Sequence, residues 1–455
     1  MSTSGTPGLP RVLGLWDATC VVVGAIIGVG IFFTPRDVAQ VTGSTAGVVL
    51  AWVLGGVIAL LGAFTFAELG RLRPVAGGQY HVLLDTYGPA PAFLFVFCNL
   101  TAVQAGAVAI IAIVCAQNLG IALYGVDPAA PWVLTFATLM TWALVAVNVV
   151  GVRSGARLQD LTVIAKLAIL AVLVAAALAV DPQPAAAPAA PLSEPAPLTF
   201  AALFAGVTLT LFAYGGWQQA LWIAGEVIDA HRLVPRAILL GVAIVIVAYL
   251  SANWAYLDLL GFQGLRGTRA LVADAFSIVS PGLGRRLAAG AVAISAFGVL
   301  NAQFLTGPRL TWAMAKDGQF FASFMRLHPR FSTPVAAIVL LGVLATALTL
   351  GLGLDRTDML TTGVVVVDAS FFALTGLALP LLHRRSPEFG GRWRWIDAAA
   401  ITFVLLELLA IAGSVLEKDA RVVALTGLGW IGAAGLTWMI FFRRRAPASH
   451  DRRFP

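Results

Sequence analysis

Apolar stretches long enough to cross a membrane recur along the whole chain. A membrane-spanning helix needs about 20 such residues, and hydropathy predicts twelve spans. They lie at about 14–35, 43–68, 90–120, 131–150, 158–180, 198–225, 235–257, 287–307, 334–352, 358–383, 396–415 and 424–442. Only 11% of the residues are charged, whereas soluble domains contain about 25%. The sequence therefore predicts an all-α integral membrane protein and excludes soluble, disordered and fibrous classes.

The basic residues fall mainly on one side of the predicted spans. With a cytoplasmic N-terminus, 20 of the 29 Lys and Arg residues lie in cytoplasmic segments and 8 lie outside. Because cytoplasmic loops carry an excess of positive charge, both termini are predicted to be cytoplasmic, in the plasma (inner) membrane. The net charge of +7 then reflects topology in the lipid bilayer, and no nucleic-acid partner is predicted.

Glycines interrupt two of the predicted spans. Span 1 reads VGAIIGVGIFFTP from Val23, and span 6 reads LFAYGGWQQ from Leu211. Closely spaced glycines weaken a helix, and non-helical backbone at membrane depth is tolerated only where it lines a cavity. Close helix packing is the alternative explanation of any single glycine. Two interrupted spans, each the first of five, favour an inverted repeat with a binding site between its halves.

The freed backbone groups suit a zwitterion, because half-helix N-termini attract anions and half-helix carbonyl ends attract cations. The N–H groups of residues 29–31 are predicted to bind the carboxylate of an α-amino acid. Its ammonium is predicted to bind carbonyls near Ile26, Phe212 and Tyr214.

Lys166 is the one basic residue well inside a predicted span. A lysine at such a position costs about 2.5–3.5 kcal/mol on insertion scales. Its side chain either snorkels to the cytoplasmic face or supplies a fixed or titratable ammonium in the place of a bound sodium ion. The second role would remove the need for Na⁺.

Other polar residues also lie within spans. Asp368 in span 10 and Glu407 in span 11 are either proton relays or protonated structural groups. Asn99 and Gln104 in span 3 are interpreted as polar contacts between helices.

The sequence contains no pattern of enzymatic chemistry. The five histidines and three cysteines lack metal-ligand spacing, and no P-loop, dinucleotide fingerprint or nucleophile elbow occurs. No metal, no cofactor and no catalytic residue is predicted, so the chain is not expected to be an enzyme.

Several motifs resemble the amino acid–polyamine–organocation superfamily, and most specifically its L-type amino acid transporter family. Besides the two interrupted spans, they are RPVAGGQYHVLLDTYGP at 73–89, VRSGARLQDLTVIAKLAIL at 152–170 and GPRLTWAMAKDGQFF at 307–321. The resemblance implies a leucine-transporter-type fold, with a 5+5 inverted repeat plus two extra helices. It also implies alternating access around a site between spans 1 and 6.

The predicted organisation follows from this fold. Its segments are a cytoplasmic tail at 1–13, the first repeat at 14–180, a Pro- and Ala-rich external loop at 181–197, the second repeat at 198–383, spans 11 and 12 at 384–442, and a basic cytoplasmic tail at 443–455.

The resemblance also implies residue roles. Phe212 would gate the substrate, and Lys166 would bridge the span 1 break and span 8. The complete predicted substrate site comprises Ile26, Gly28, Val29, Gly30, Ile31, Phe212, Ala213, Tyr214, Gly215 and Gln218.

The chain departs from the family pattern at a few positions. Val29 and Val299 stand where the family commonly has Ser, and Gln218 stands where it often has Asn. The loop between spans 3 and 4 has no cysteine, so a disulfide-linked heavy chain is not expected.

These observations predict a secondary transporter that exchanges neutral L-amino acids without Na⁺. A proton-coupled symporter with a titrating Lys166 is the first alternative. A carrier of polyamines or cationic amino acids is less favoured, because no carboxylate lies near the two breaks. An amino-acid-binding membrane sensor is the alternative from another class.

Overall fold

The chain folds into packed helices. The computed structural model describes residues 8–180, 198–268, 270–280, 282–353, 357–385, 394–416 and 418–443. Within them the regular structure is helical, apart from one isolated parallel bridge between Leu13 and Val227. The predicted loop at 181–197, and all but the first residue of the predicted tail at 443–455, lie outside the described residues.

The α-helices of the described residues are α1 (Leu15–Ile26), α2 (Thr34–Thr42), α3 (Thr45–Leu72), α4 (Gly78–Tyr87), α5 (Pro89–Cys98), α6 (Ala105–Tyr124), α7 (Ala130–Val150), α8 (Val152–Ala179), α9 (Phe200–Tyr214), α10 (Gln219–Trp222), α11 (Ala230–Gly267), α12 (Leu271–Val279), α13 (Gly284–Thr306), α14 (Pro308–Lys316), α15 (Val335–Leu352), α16 (Thr357–Arg385), α17 (Trp395–Leu416) and α18 (Lys418–Thr437). Short 3₁₀ or π turns cover Gly30–Phe32, Asn99–Gln104, Ala224–Glu226, Ala322–Met325 and Trp438–Phe442.

Many of these helices are long and apolar enough to cross a membrane. Eight meet that description among the described residues. Three shorter apolar helices are also present, namely Leu15–Ile26, Phe200–Leu211 and Val335–Gly351. Each of the twelve predicted segments contains a helix. The prediction of an all-helical, multi-pass membrane protein is confirmed, whereas the count of twelve spans and the inverted repeat stay predictions.

The first predicted span is broken where its glycines lie. Helix α1 ends at Ile26, the chain leaves helical geometry, and Gly30–Phe32 forms a single 3₁₀ turn before α2. Helix α2 continues to Thr42, beyond the predicted end of the span at 35. Its polar residues Arg36 and Asp37 interrupt the apolar run, so hydropathy placed the end too early.

The third predicted span contains a π-helix. Helix α5 passes into α6 through Asn99–Gln104, where the hydrogen bonds are those of a π-helix. Segments of π-helix are rare in proteins, and those that occur often lie at functional sites. This one positions Asn99 and Gln104 inside the protein, where both are buried.

Two directions in the fold are used below. The face at which α1 begins is called the N-face, and the opposite face is called the far face. The bridge between Leu13 and Val227 brings the start of α11 to the N-face, so α11 ends at the far face. Helix α3 runs the other way and begins at the far face. Helix α1 lies against α8, α11 and α13, and α9 lies against α2 and α3.

Candidate functional site

The break in the first interrupted helix leaves main-chain donors without partners. Among the described residues, no hydrogen bond satisfies the N–H groups of Val29, Gly30 or Ile31. The carbonyl oxygens of Val29 and Gly30 accept hydrogen bonds from the N–H groups of Phe32 and Phe33. These carbonyls therefore point toward the second half-helix. The break therefore presents N–H groups at the start of the second half-helix, where the partial charge is positive.

The break in the second interrupted helix presents the opposite polarity. Helix α9 ends at Tyr214, and α10 begins only at Gln219. Gly215 is extended, and Gly216 has φ of 134°, a conformation that glycine adopts readily and other residues rarely do. The last carbonyls of α9 have no continuing helix to pair with, so this end carries partial negative charge.

The two breaks are in contact. A Cβ on Gly216 would lie 2.8 Å from the carbonyl carbon of Ala25, and a Cβ on Gly30 would lie 3.2 Å from the Cβ of Ala213. Only glycine permits backbones to approach this closely. The unpaired donors of the first break thus lie beside the carbonyl end of α9. This arrangement can bind an anionic and a cationic group a few bonds apart.

Lys166 lies between the first break and α13. Its Nζ donates to the carbonyl oxygens of Gly24 (2.9 Å) and Ile27 (2.7 Å). A Cβ on Gly298 of α13 would lie 2.8 Å from the same Nζ. The residue is 1% exposed, so the snorkelling interpretation is wrong. The ammonium instead occupies the carbonyl end of α1, where a cation is stabilised by the helix dipole.

Two hydroxyl groups at the site were not predicted from the sequence. The hydroxyl of Tyr249, on α11, lies 3.0 Å from the carbonyl oxygen of Ile26 and 3.2 Å from that of Ala213. Ser295, on α13, has its Oγ 3.2 Å from the carbonyl oxygen of Ile27 and 3.0 Å from that of Gly28. A tyrosine in the middle of a Val- and Ala-rich span was the one sequence signal that pointed to Tyr249.

Tyr249 joins the two breaks, but its hydroxyl carries a single hydrogen. It can donate to Ile26 or to Ala213, and not to both at once. The carbonyl that it leaves is open to another donor. A ligand ammonium near the site would therefore compete with Tyr249 for these two oxygens.

The structure places the other predicted site residues in several different surroundings. Gly28 is half-buried, and the side chain of Val299 lies 3.4 Å from where its Cβ would be, so Val299 lines the break. The hydroxyl of Tyr214 donates to the carbonyl oxygen of Trp52 on α3, and its ring packs against that of Tyr249. Gln218 is buried, and its Oε1 has no partner in the described part of the chain. Phe212 supplies its backbone to the last turn of α9, and its side chain lies outside the described residues.

The remaining polar residues of the spans lie elsewhere. Asp368 and Glu407 are on the neighbouring helices α16 and α17. Gln104 fills the space beside Gly307, where a Cβ would lie 1.6 Å from its Oε1. The side-chain nitrogens of Asn99 and Gln104 are buried and lack partners within the described residues. No group of three or more His, Cys, Asp or Glu side chains suited to a metal occurs in that part of the chain either.

A multi-pass helical protein with two interrupted apolar helices that meet at their breaks has the construction of a secondary transporter. Comparison with known proteins agrees, because residues 13–440 match the amino acid permease family. The chain belongs to that family, as its motifs predicted, and it is a transporter and not an enzyme.

Three relatives share 28–30% of the aligned residues with this chain. The chain is 30% identical to the b(0,+)-type amino acid transporter 1 of Oryctolagus cuniculus, over 75% of the chain and 70% of that protein. It is 30% identical to the serine/threonine exchanger SteT of Bacillus subtilis (strain 168), over 94% of the chain and 96% of the exchanger. It is 28% identical to the large neutral amino acids transporter small subunit 2 of Mus musculus, over 85% and 73%.

Proposed function

We propose that this transporter exchanges neutral L-amino acids across the plasma membrane by alternating access, without Na⁺. The observation that carries the proposal is the meeting of unpaired N–H groups at residues 29–31 with the open carbonyl end of α9. An α-amino acid presents a carboxylate and an ammonium on one carbon, which matches this polarity. Two of the relatives, one named as an exchanger and one as a transporter of large neutral amino acids, support the same function.

The proposed binding mode follows from the free groups. The carboxylate accepts from the N–H groups of Val29, Gly30 and Ile31, and Gly28 keeps the approach open. The ammonium donates to the carbonyls of Phe212 and its neighbours at the end of α9. The carbonyl of Ile26 joins them when the hydroxyl of Tyr249 turns to Ala213.

The proposed independence from Na⁺ rests on Lys166. Its ammonium already donates to the carbonyls of Gly24 and Ile27 at the break of α1, and the single hydroxyl hydrogen of Ser295 is shared between Ile27 and Gly28. Those oxygens are the ligands that a bound Na⁺ would need. A tethered ammonium supplies the same charge permanently, so transport needs no second ion at this position.

The closed N-face fits one state of an alternating-access cycle. Arg309 and Glu226 form a two-bonded ion pair that is fully buried on that face. Gln219 bonds to Gln303 and Thr306 close by. In the proposed topology this face is cytoplasmic, and the chain has twelve spans with a 5+5 repeat. We also propose that the transporter works without a disulfide-linked heavy chain.

Proton-coupled symport is the second candidate function. The observation that favours it is that the buried ammonium of Lys166 is held by neutral carbonyls. An ammonium held only by neutral carbonyls can release its proton during a transport cycle if the break rearranges. An amino acid sensor that does not transport is the third outcome of the same experiment.

Uptake of labelled neutral amino acids into proteoliposomes tests these functions. We expect uptake into vesicles preloaded with unlabelled amino acid, little into empty vesicles, and equal rates in sodium and choline buffers. Uptake into empty vesicles that rises with an inward proton gradient would instead establish symport. A strong requirement for Na⁺ would refute the role of Lys166. Binding without uptake under any condition would identify a sensor.

A further inference from the structure

A groove between α3 and α11 lies near the far face, outside the substrate site. Its volume is about 480 Å³, and its walls include Val49, Trp52, Val53, Asn253 and Asp258. The neighbouring apolar side chains face outward, since Val49 is 45% and Val53 is 40% exposed. On spanning helices such side chains face lipid. The groove therefore opens to the bilayer.

Two residues that line the groove each carry a buried polar atom without a partner in the described part of the chain. Trp52 and Asn253 are 0% and 3% exposed. The Nε1 of Trp52 and the Oδ1 of Asn253 have no hydrogen-bond partner among the described residues. An unpaired polar group in an apolar medium is costly, and a bilayer core offers no water to satisfy it. One free donor and one free acceptor at the same groove indicate a ligand that supplies the complements.

The charge of the groove selects the kind of ligand. Asp258 lies just over one turn beyond Asn253, toward the far face, and is half-buried. Its carboxylate and the amide oxygen of Asn253 are both acceptors, and no Lys or Arg lines the groove. Trp254, at the rim, adds an aromatic ring that attracts cations. The groove thus favours a cationic headgroup with N–H donors and disfavours an anionic one.

We propose that this groove binds a phospholipid with an ethanolamine headgroup. The ammonium donates to the carboxylate of Asp258 and to the Oδ1 of Asn253. The indole N–H of Trp52, deeper in the membrane, donates to a phosphate or ester oxygen. The acyl chains continue along the apolar surface of α11 near Leu250.

The groove is joined to the substrate site through Tyr249. The Nδ2 of Asn253 donates to the carbonyl oxygen of Tyr249 at 2.8 Å. The ring of Trp52 packs edge-on against that of Tyr249, with centroids 5.5 Å apart. Tyr249 in turn contacts Ile26 and Ala213 at the two breaks. By holding Trp52 and Asn253 in place, a bound lipid would fix Tyr249 and so favour the arrangement in which the two breaks are in contact. This consequence rests on the proposed function.

Lipid retention by the purified protein tests the proposal without reference to transport. Native mass spectrometry measures adducts after incubation with equal amounts of phosphatidylethanolamine, phosphatidylcholine and phosphatidylglycerol. We expect phosphatidylethanolamine to dominate for the wild type and to fall about tenfold in Asp258→Asn, because the ammonium then meets a neutral amide oxygen in place of a carboxylate. Trp52→Phe, which keeps the ring and removes the N–H, should also reduce retention. Ser251→Ala, in the neighbouring groove between α8 and α11, is the matched control and should retain the lipid.

Three results would overturn the proposal. They are equal retention of phosphatidylethanolamine and phosphatidylcholine, preference for phosphatidylglycerol, and unchanged retention in both variants. The transport consequence is measured separately, as exchange in vesicles with or without phosphatidylethanolamine. We expect exchange to depend on this lipid in the wild type and to lose that dependence in Asp258→Asn. Selective retention without this dependence would leave the lipid site in place and overturn its link to Tyr249.

Discussion

Lys166 shows how much of this site depends on a single charge. The ammonium donates to Gly24 and Ile27, at a helix end that carries about half a negative charge. The insertion cost of a lysine at this depth is offset only where such acceptors are available. Its position beside Gly298 of α13 also ties the break to a neighbouring helix, so the residue combines an electrostatic role with a mechanical one.

Removal of that charge should slow exchange strongly while leaving the protein in the membrane. In Lys166→Met, the carbonyl of Gly24 loses its donor, at about 1–3 kcal/mol, and the carbonyl of Ile27 keeps only Ser295. We expect the exchange rate to fall by at least about tenfold. The measurement is counterflow in proteoliposomes, with insertion checked by size-exclusion chromatography. Lys316→Met, at an exposed lysine that lies over the ring of Trp312, should exchange normally. Wild-type rates in Lys166→Met would contradict the assigned role.

The sequence predicted individual residues only where a local anomaly marked them. A lysine within an apolar span is such an anomaly, and its contact with the break was predicted through the family resemblance. Tyr249 reaches Ile26 across 223 residues, and Ser295 reaches Ile27 across 268. Nothing in the local sequence encodes these pairings, because they depend on how the helices pack. The same reason explains why the contact of Tyr214 with Trp52 was not foreseen.

At the scale of secondary-structure elements, the two interrupted helices depend on each other. The unpaired backbone groups of each break have no partner within their own helix, and each break packs against the other at a glycine. The sequence revealed both breaks, because glycine pairs inside apolar runs are visible to inspection. It did not reveal the true end of α2 at Thr42, where Gly43 with φ of 68° stops the helix. Polar residues on α2 concealed that helix from hydropathy.

Gly216→Ala tests the contact between the breaks. The new Cβ would lie 2.8 Å from the backbone of Ala25, and the positive φ adds about 1–2 kcal/mol of strain. Overpacking typically adds about 1–3 kcal/mol. We expect the unfolding temperature to drop and substrate binding to weaken by at least about tenfold, as measured by thermal shift with added amino acid. Gly432→Ala on α18, where the added Cβ would meet nothing within 4 Å beyond its chain neighbours and the adjacent backbone of its own helix, is the matched control. Equal behaviour of the two variants would show that the breaks do not need this contact.

At the scale of the whole molecule, closure of the N-face is the feature that alternating access requires. Glu226 combines several interactions there. Its carboxylate pairs with Arg309, and its carbonyl oxygen accepts from Val12 and Leu13. The chain preceding α1, the second interrupted helix and α14 thus meet at one residue. Hydropathy gave no indication of this closure, because Glu226 and Arg309 are 83 residues apart and each alone resembles an ordinary loop charge.

Neutralising Glu226 should destabilise the protein far more than neutralising an exposed partner. Glu226→Gln leaves the buried guanidinium of Arg309 without its counter-charge, which costs about 3–5 kcal/mol. Asp127→Asn breaks the exposed pair with Arg285, and pairs of that kind contribute about 0–1 kcal/mol. We expect a clear drop in the unfolding temperature for Glu226→Gln and almost none for Asp127→Asn. Similar melting of the two variants would contradict the importance of the buried pair.

The same variant should also open the N-face, and a native cysteine can report it. Cys20 is buried on α1 near that face, so its labelling by maleimide in a Cys98→Ser, Cys115→Ser background measures how often α1 moves away. We expect faster labelling in Glu226→Gln, because the contact that holds the second interrupted helix is lost. Glu226→Gln combined with Arg309→Met removes the unpaired charge and should recover part of the stability while labelling stays fast. The double variant therefore separates the loss of stability from the opening of the N-face. Fast labelling of Cys20 in this more stable variant would identify the ion pair as a gate. Slow labelling there would show that it serves stability alone.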